Sequence, residues 1–424
     1  MRGRCLGTVP DPTDAMGGVT RLMPERLRRP LRSPSFRNLA LGKSISYLGD
    51  WLMVAVLVGW VYQSTSSIAQ VALLMAVRLV PPIVGGGLAA SIVDRLPRQR
   101  VLVWSEIASA ATIAGALAAV MAGSRPALFA LVGLCGLVSM ISTVAGNALI
   151  PMVVQAEELP AANGIHAVGQ EAAMALGAVA GGLTLALGGA PAGLAANLAS
   201  YGIAVVLFAR IRVAEPVGDA RASKRGGLVD GLRYVLGSRA LTVVVGGFAV
   251  ATLATGLVNA TLPKFTSGLG LGASGYGWAL ASLAGGMIAG EALTGAIAAR
   301  IEPRWLAAGL AGMGLLFFAF AWAGSALIAL AFLFTFGIAN GFTEVVMMTA
   351  IHQQADATHQ GRVFGVGSTL WRTTMLGAVA LAPAVDAVAS SAQAITVAAV
   401  VLVVGAALVQ LTLRPSPRLA TAPA

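Results

Sequence analysis

The chain has 424 residues, of which 57% are hydrophobic and only 11% charged, and its formal net charge is +11. A soluble domain carries roughly a quarter charged residues, so this composition excludes a water-soluble enzyme and indicates a polytopic α-helical membrane protein. The 28 Lys and Arg residues are spread over many short segments. This spread indicates orientation in a membrane and argues against nucleic-acid binding.

The first 35 residues are polar and contain five prolines and a run of arginines. They contain no apolar stretch followed by a small-residue cleavage site, so we do not interpret them as a signal peptide. We expect a disordered, basic cytoplasmic tail. Translation could begin at Met1, Met16 or Met23, since all three precede the first apolar segment.

Twelve apolar segments long enough to span a bilayer follow this tail. Their predicted positions are 38–62, 68–92, 101–122, 126–150, 164–187, 191–210, 240–262, 275–299, 305–323, 325–350, 362–385 and 391–412. The longest polar gap separates the sixth segment from the seventh. The predicted organisation is a tail at 1–35, an N-terminal six-helix half at 36–212, a cytoplasmic linker at 213–239, a C-terminal six-helix half at 240–412 and a cytoplasmic tail at 413–424.

Lys and Arg residues fall almost entirely in alternate gaps between these segments. If the N-terminus is cytoplasmic, the opposite side of the membrane keeps only Arg125 and Lys264. Because short loops rich in Lys and Arg stay in the cytoplasm, we expect a cell-membrane protein with both termini in the cytoplasm.

A short repeat relates the two halves. Residues 176–180 and 376–380 both read Leu-Gly-Ala-Val-Ala, and they lie in the fifth and eleventh segments. Paired six-helix halves with a site between them are typical of secondary transporters. The predicted fold class is therefore an all-α polytopic membrane protein with twelve transmembrane helices in two pseudo-symmetric halves.

The gap between the second and third segments carries a recognisable motif. Residues 90–100 read Ala-Ser-Ile-Val-Asp-Arg-Leu-Pro-Arg-Gln-Arg, which resembles the loop signature of the major facilitator superfamily. Residues 36–51 and 360–365 resemble the drug and siderophore exporter branch, of the enterobactin and macrolide type. The resemblance covers 36–412 and implies the major facilitator fold.

The chain departs from the pattern of proton-coupled exporters at two places. Antiporters of this family have Pro where this chain has Ala178, and some carry an Arg in the fourth segment, which has no charge here. These differences leave two functions open. One is proton-coupled export of a small amphipathic molecule, drug-like or siderophore-like, and the other is facilitated transport or import of a small metabolite.

Several charged residues fall inside the apolar segments, where each costs at least ~2.5–3.5 kcal/mol on insertion scales. Asp50 and Arg78 have similar predicted depths in adjacent segments, and so do Glu344 and Arg372. Each pair could be a structural tie or a protonatable switch. The sequence therefore predicts two buried ion pairs.

The other intramembrane charges have no obvious partner in the sequence. The resemblance implies that Glu171 and Glu291 meet where the halves join and could share a proton. The alternative is that they are hydrated at the cytoplasmic mouth. Glu106 lies near the start of its segment and is expected to be solvated, and Lys43 is expected to reach the membrane surface.

The resemblance also implies roles for loop and cavity residues. The loop residues Arg95, Arg98 and Arg100 are explained by orientation, whereas the acidic Asp94 is expected to act as a gate. In this fold the first, fourth, seventh and tenth segments line the cavity. The candidate lining residues are Trp51, Trp60, Asn147, Asn259 and Asn340, with core packing as the alternative for the aromatic ones.

The sequence indicates neither a cofactor nor an enzyme. Its three histidines and two cysteines share no metal-ligand spacing, and no nucleotide-binding loop or catalytic triad is visible. The expected partners are a small-molecule substrate, protons and the lipid bilayer, with no nucleic acid, and the protein is expected to be a monomer.

Overall fold

The computed structural model describes residues 29–213, 228–295, 302, 304–355 and 360–413. Most of the predicted N-terminal tail (1–28), much of the linker (214–227) and the C-terminal tail (414–424) lie outside the described residues. The predicted end of the eighth segment, at 296–299, also lies outside them.

Twelve helices of the described chain follow the twelve predicted segments, and we number them α1 to α12. Leu159–Ala209 is one helical stretch that is broken at Gly189, so we treat 159–188 as α5 and 190–209 as α6. The other bounds are Pro34–Thr65 (α1), Ile68–Arg95 (α2), Arg98–Met121 (α3), Arg125–Val153 (α4), Arg239–Gly268 (α7), Gly275–Gly295 (α8), Trp305–Ala321 (α9), Ala326–Gln354 (α10), Gln360–Val388 (α11) and Ser391–Leu413 (α12).

Length and apolar composition explain these helices. Eight of the described helical stretches, counting Ala161–Ala209 as one, are long and apolar enough to cross a membrane, and Trp305–Ala321 is a shorter apolar helix. In hydrocarbon only a helix satisfies its own backbone hydrogen bonds, so apolar sequence of this length becomes helical. A further short helix, Leu228–Gly237, lies between the halves, and we call it the linker helix.

Local sequence determines where individual helices begin and end. Ser33 caps α1 by accepting a hydrogen bond from the Phe36 amide, and Pro34 occupies the first turn, where no backbone donor is needed. The break between α5 and α6 occurs at Gly189, whose φ of 68° is unfavourable for residues with a side chain. Pro191 follows at once and starts the new helix.

Each half is a compact bundle of six helices. In the N-terminal half α1 packs along the α5–α6 stretch, and α4 packs against α2 and α3. In the C-terminal half α8 packs on α10, and α12 packs on α7 and α9. Glycines allow the closest approaches: a Cβ on Gly177 of α5 would collide with the backbone of α1 at Leu48.

The two halves meet through α5 with α8 and α2 with α11. A Cβ at Gly182 of α5 would lie 3.2 Å from the Cα of Gly277 in α8, so the helices touch through their backbones. Ile68, Ala260 and Ala382 form a small apolar cluster between the halves. These contacts lie at the end of the molecule that the charge pattern predicts to be extracellular. The predicted fold of twelve helices in two six-helix halves is confirmed.

Candidate functional site

A cavity of about 730 Å³ lies between the two halves. Its wall is formed by α1, α2, α4 and α5 from one half and by α7, α8, α10 and α11 from the other. No described residue of α3, α6, α9 or α12 reaches it. The cavity is therefore a central space that both halves share, and it includes all four of the helices expected to line it.

The cavity wall is mainly apolar and adaptable. Eight of the chain's 14 methionines line it. They are Met53, Met75, Met140, Met174, Met287, Met347, Met348 and Met375. Methionine side chains are flexible and polarisable, and such surfaces can repack around ligands of different shape. The wall is thus suited to bulky apolar groups.

Three of the five predicted lining residues are in the wall. Trp51, Asn259 and Asn340 line the cavity, whereas Trp60 and Asn147 do not. Trp60 packs with an apolar cluster around Val56, where α1 contacts the α5–α6 stretch. Asn147 is exposed and lies one helical turn beyond Thr143, which is in the wall. These two predictions are wrong because helix identity alone does not give the depth or extent of a cavity.

Five of the six predicted intramembrane charges line this cavity. They are Asp50, Arg78 and Glu171 from the N-terminal half, and Glu344 and Arg372 from the C-terminal half. Glu291 is half-buried outside the wall. Among the described residues no salt bridge within 4.0 Å joins any two of these six side chains.

Asp50 is held by a tyrosine instead of the predicted arginine. The Tyr201 hydroxyl on α6 donates a hydrogen bond of 2.5 Å to Asp50 Oδ1. Arg78 attracts Asp50 electrostatically but does not contact it directly. The predicted direct pair is thus replaced by a hydrogen bond, because α6 brings a fully buried hydroxyl to the carboxylate from a helix distant in sequence.

Glu344 and Arg372 do not form the second predicted pair. Arg372 forms no salt bridge with a described residue. Glu344 has no charged partner among the described residues. The two residues share the cavity wall, but their side chains do not meet.

Three carboxyl groups lie near the predicted cytoplasmic ends of α5, α8 and α10. Glu171 interacts electrostatically with both Glu291 and Glu344. Its Oε2 atom is buried and has no hydrogen-bond partner in the described part of the chain. Glu171 and Glu344 thus share the cavity wall, whereas Glu291 lies outside it. The sharing of a proton between Glu171 and Glu291 stays a prediction.

A buried charge network behind Asp50 was missed at the sequence level. Lys43 and Glu106 are 2% and 1% exposed, so the expectations that Lys43 reaches the surface and that Glu106 is solvated are wrong. Lys43 Nζ donates to Ser142 Oγ (3.1 Å), and the Ser142 hydroxyl donates to Glu106 Oε1 (2.5 Å). Ser46 donates to Glu106 Oε2 (2.9 Å).

The contact of α4 with α1, and the packing of α3 on α4, explain this network. A Cβ at Gly146 would lie 3.2 Å from the Lys43 Cδ atom, so the glycine leaves space for the lysine stem. Lys43, Ser46 and Asp50 are three and four residues apart and share one face of α1. In the sequence, the sign of this network was the polar face of α1 within an otherwise apolar segment.

The residues of the predicted gating loop lie mostly at helix ends, because α2 extends to Arg95 and α3 begins at Arg98. Asp94, Arg95 and Arg100 are exposed. The Arg98 guanidinium contacts Met152 Sδ of α4 at 2.9 Å. Gln99 Nε2 donates to the carbonyl of Phe208 on α6 (3.0 Å). The first turn of α3 therefore contacts α4 and α6 within the N-terminal half.

Comparison with known proteins relates this architecture to a transporter family. The family model described as Major Facilitator Superfamily matches residues 39–378 and 244–424. The multidrug efflux pump Tap of Mycobacterium tuberculosis is 23% identical over 376 residues, which cover 85% of this chain and 89% of the relative. The same pump of Mycobacterium bovis has the same identity and coverage.

Solved structures share the fold at lower sequence identity. The nucleoside transporter NupG has a TM-score of 0.70 at 11% identity, covering 90% of this chain and 100% of that one. A bacterial homologue of the human lysosomal transporter Spinster, inward-facing and unoccupied, has a TM-score of 0.72 at 16% identity and covers 91% and 99%. The peptide transporter PepTSo has a TM-score of 0.70 at 12% identity and covers 90% and 97%.

Proposed function

The chain belongs to the major facilitator superfamily of membrane transporters, and from this premise we propose that it exports a small amphipathic molecule by alternating access, coupled to proton entry. The observation that carries the proposal is Asp50, an acid in the wall of the shared cavity that is hydrogen-bonded by Tyr201. An acid in the cavity wall can gain a proton when the cavity is open to one side of the membrane and lose it when the cavity is open to the other side. Proton coupling requires such a group.

The shape and chemistry of the cavity support an amphipathic cargo. Its methionine and aromatic side chains offer apolar surface, and a few charged and amide groups could orient a ligand. The similarity to the Tap efflux pump supports the export direction and a drug-like substrate. A siderophore-like substrate of the enterobactin or macrolide exporter type is part of the same proposal.

The contacts between halves support alternating access. The halves touch at the predicted extracellular end, where Gly182 and Gly277 bring α5 and α8 together. Glycine contacts bury little side-chain area and can separate by rigid-body rocking of the halves. We assign a gating role to Asp94 with Arg95, Arg98 and Arg100, which lie at the predicted cytoplasmic ends of α2 and α3. Glu171, Glu291 and Glu344 are further candidate proton carriers, and Arg78 and Arg372 would counter their charge.

We propose further that the protein acts as a monomer in the cell membrane, with both termini in the cytoplasm. The alternation of basic and neutral gaps along the chain supports this orientation. A second candidate function is a facilitator or importer of a small metabolite. It is favoured by Ala178, since antiporters resembling this chain have Pro there, and by the uncharged interior of α4.

Everted membrane vesicles test the proposal. An imposed inward-acidic proton gradient should drive uptake of a fluorescent dye such as ethidium, and Asp50→Asn should abolish that uptake. Asp230→Asn, which changes an exposed acid on the linker helix, is the matched control and should transport normally. Uptake that ignores the gradient and survives Asp50→Asn would contradict proton-driven export and favour the facilitator.

A further inference from the structure

The charges in the cavity wall do not neutralise one another by direct contact. Three acids and two arginines line the space, and no salt bridge joins any two of them. Unpaired charges of both signs in a partly desolvated site are costly, and a ligand with complementary charges would remove that cost. The positions of the charges in the cavity wall therefore indicate which charges the ligand carries.

The acidic part of the wall lies at Glu171. Its Oε2 atom is buried without a hydrogen-bond donor among the described residues. Glu344 is a second acid in the same wall. A ligand ammonium group would supply both the missing donor and the missing positive charge.

The basic part of the wall lies at Arg372. Its guanidinium forms no salt bridge with a carboxylate of the described residues. Arg78, on the other side, is already opposed by Asp50. A guanidinium presents a planar set of N–H donors that matches a carboxylate or phosphate group. This region is suited to a ligand anion.

Both regions face one space. Glu171 and Arg372 line the same cavity, and Tyr47 lines it with them. One molecule in the cavity could therefore reach both Glu171 and Arg372. Met174 and Met375 lie three residues beyond these two charges along α5 and α11, where the apolar body of the ligand would pack.

We propose that the cavity binds zwitterionic amphiphiles, in which an apolar body carries both a cationic and an anionic group. This inference rests on the transport function proposed above and narrows its substrate class. A purely cationic ligand would leave Arg372 unpaired, and a purely anionic one would leave Glu171 unpaired. Only a ligand with both charges satisfies both residues.

Four fluorescent probes that share one dansyl group and one alkyl chain test the proposal. They are Nε-dansyl-lysine (zwitterion), dansylcadaverine (cation), 6-(dansylamino)hexanoic acid (anion) and N-pentyl dansylamide (neutral). Each is titrated against the purified full-length protein in lipid nanodiscs. We expect the zwitterion to bind at least about tenfold more tightly than each of the other three, equivalent to about 1.4 kcal/mol.

Two variants assign the charges to their residues. Glu171→Gln should lower the affinity for the zwitterion and the cation while leaving the anion and the neutral probe unchanged. Arg372→Gln should lower the affinity for the zwitterion and the anion only. Glu302→Gln, an exposed acid outside the cavity that pairs with Arg304 at 2.7 Å, is the control and should change none of the four. Retained binding of the neutral probe shows that each variant is folded.

Three results would overturn the inference. They are equal or tighter binding of a singly charged or neutral probe, equal losses for all four probes in Glu171→Gln, and binding of none of the probes. Uptake of the same probes into everted vesicles separates this inference from the export proposal. Tight zwitterion binding without gradient-driven uptake refutes proton-coupled export alone, whereas gradient-driven uptake restricted to the cation refutes the zwitterion inference alone.

Discussion

Lys43 and Glu106 face each other in the core of the N-terminal half and are joined through the hydroxyl group of Ser142. Both are nearly inaccessible, at 2% and 1% exposure. They lie on α1 and α3, and Ser142 lies on α4, so one network ties three helices together. Asp50 in the cavity wall is on the same face of α1 and interacts electrostatically with Lys43. Behind Asp50, on the side away from the cavity, there is thus a charged network that hydrogen bonds hold in place.

Removing one member of this network should strongly destabilise the protein. We expect Lys43→Met or Glu106→Gln to lower the free energy of unfolding by about 3–5 kcal/mol, because each leaves an uncompensated buried charge. The double variant should recover part of the loss. Thermal or denaturant unfolding in detergent measures both.

The control for that experiment is the more exposed pair Lys264–Asp386, which has an N···O distance of 2.6 Å. Lys264→Met should cost only about 0–1 kcal/mol, since water screens an exposed ion pair. Equal losses of unfolding free energy in Lys43→Met and Lys264→Met would show that the buried network contributes no more to stability than the exposed pair.

The hydrogen bond between Tyr201 and Asp50 should matter for transport. Tyr201→Phe keeps the ring that packs in the core but removes the donor, a change worth roughly 1.5–3 kcal/mol when the acceptor is charged. We expect gradient-driven dye uptake in everted vesicles to fall at least severalfold, with normal protein levels. Tyr62→Phe is the control, because the Tyr62 hydroxyl has no hydrogen bond to a described residue. Unchanged uptake in Tyr201→Phe would remove Tyr201 from the mechanism.

The glycine contact between the halves should control the access of the cavity. A Cβ at Gly182 would lie 3.0 Å from the Ser274 carbonyl oxygen and 3.2 Å from the Gly277 Cα. We expect Gly182→Val to force the predicted extracellular ends apart. Spin labels are attached at Ser66→Cys and Ser390→Cys, one in each half. Pulsed electron paramagnetic resonance should then report a longer mean distance between the two labels.

Gly202→Val is the matched control for this separation, because a Cβ at Gly202 would meet no atom within 4 Å. It should leave the distance distribution unchanged. An unaltered distribution in Gly182→Val would mean that this contact does not hold the halves together.

The proposed orientation makes a direct labelling prediction. In a variant without Cys5 and Cys135, a membrane-impermeant maleimide should label Ser66→Cys from outside intact cells. It should label Ser223→Cys, in the central linker, only after the cells are opened. Labelling of both positions from the same side would refute the twelve-span topology with both termini inside.

The sequence by itself determined the number, order and approximate ends of the helices. An apolar segment of bilayer length becomes a helix because of its own composition, and Gly189 followed by Pro191 interrupts the helical stretch locally. The family, the two halves and five of the six charges that the sequence singled out in the cavity wall could be read from the same local patterns. None of these inferences needed to know which helices are neighbours.

Only the tertiary structure decided which side chains meet. Spacing along a helix gives the face and depth of a residue, but not the helix that packs against that face. Asp50 therefore accepts a hydrogen bond from Tyr201 and does not pair with Arg78. Lys43 is linked to Glu106 through the hydroxyl group of Ser142. Glu171, in contrast, is left without a donor. Hydrogen bonds require atoms within about 3 Å, so their partners follow from helix packing, which local sequence does not specify.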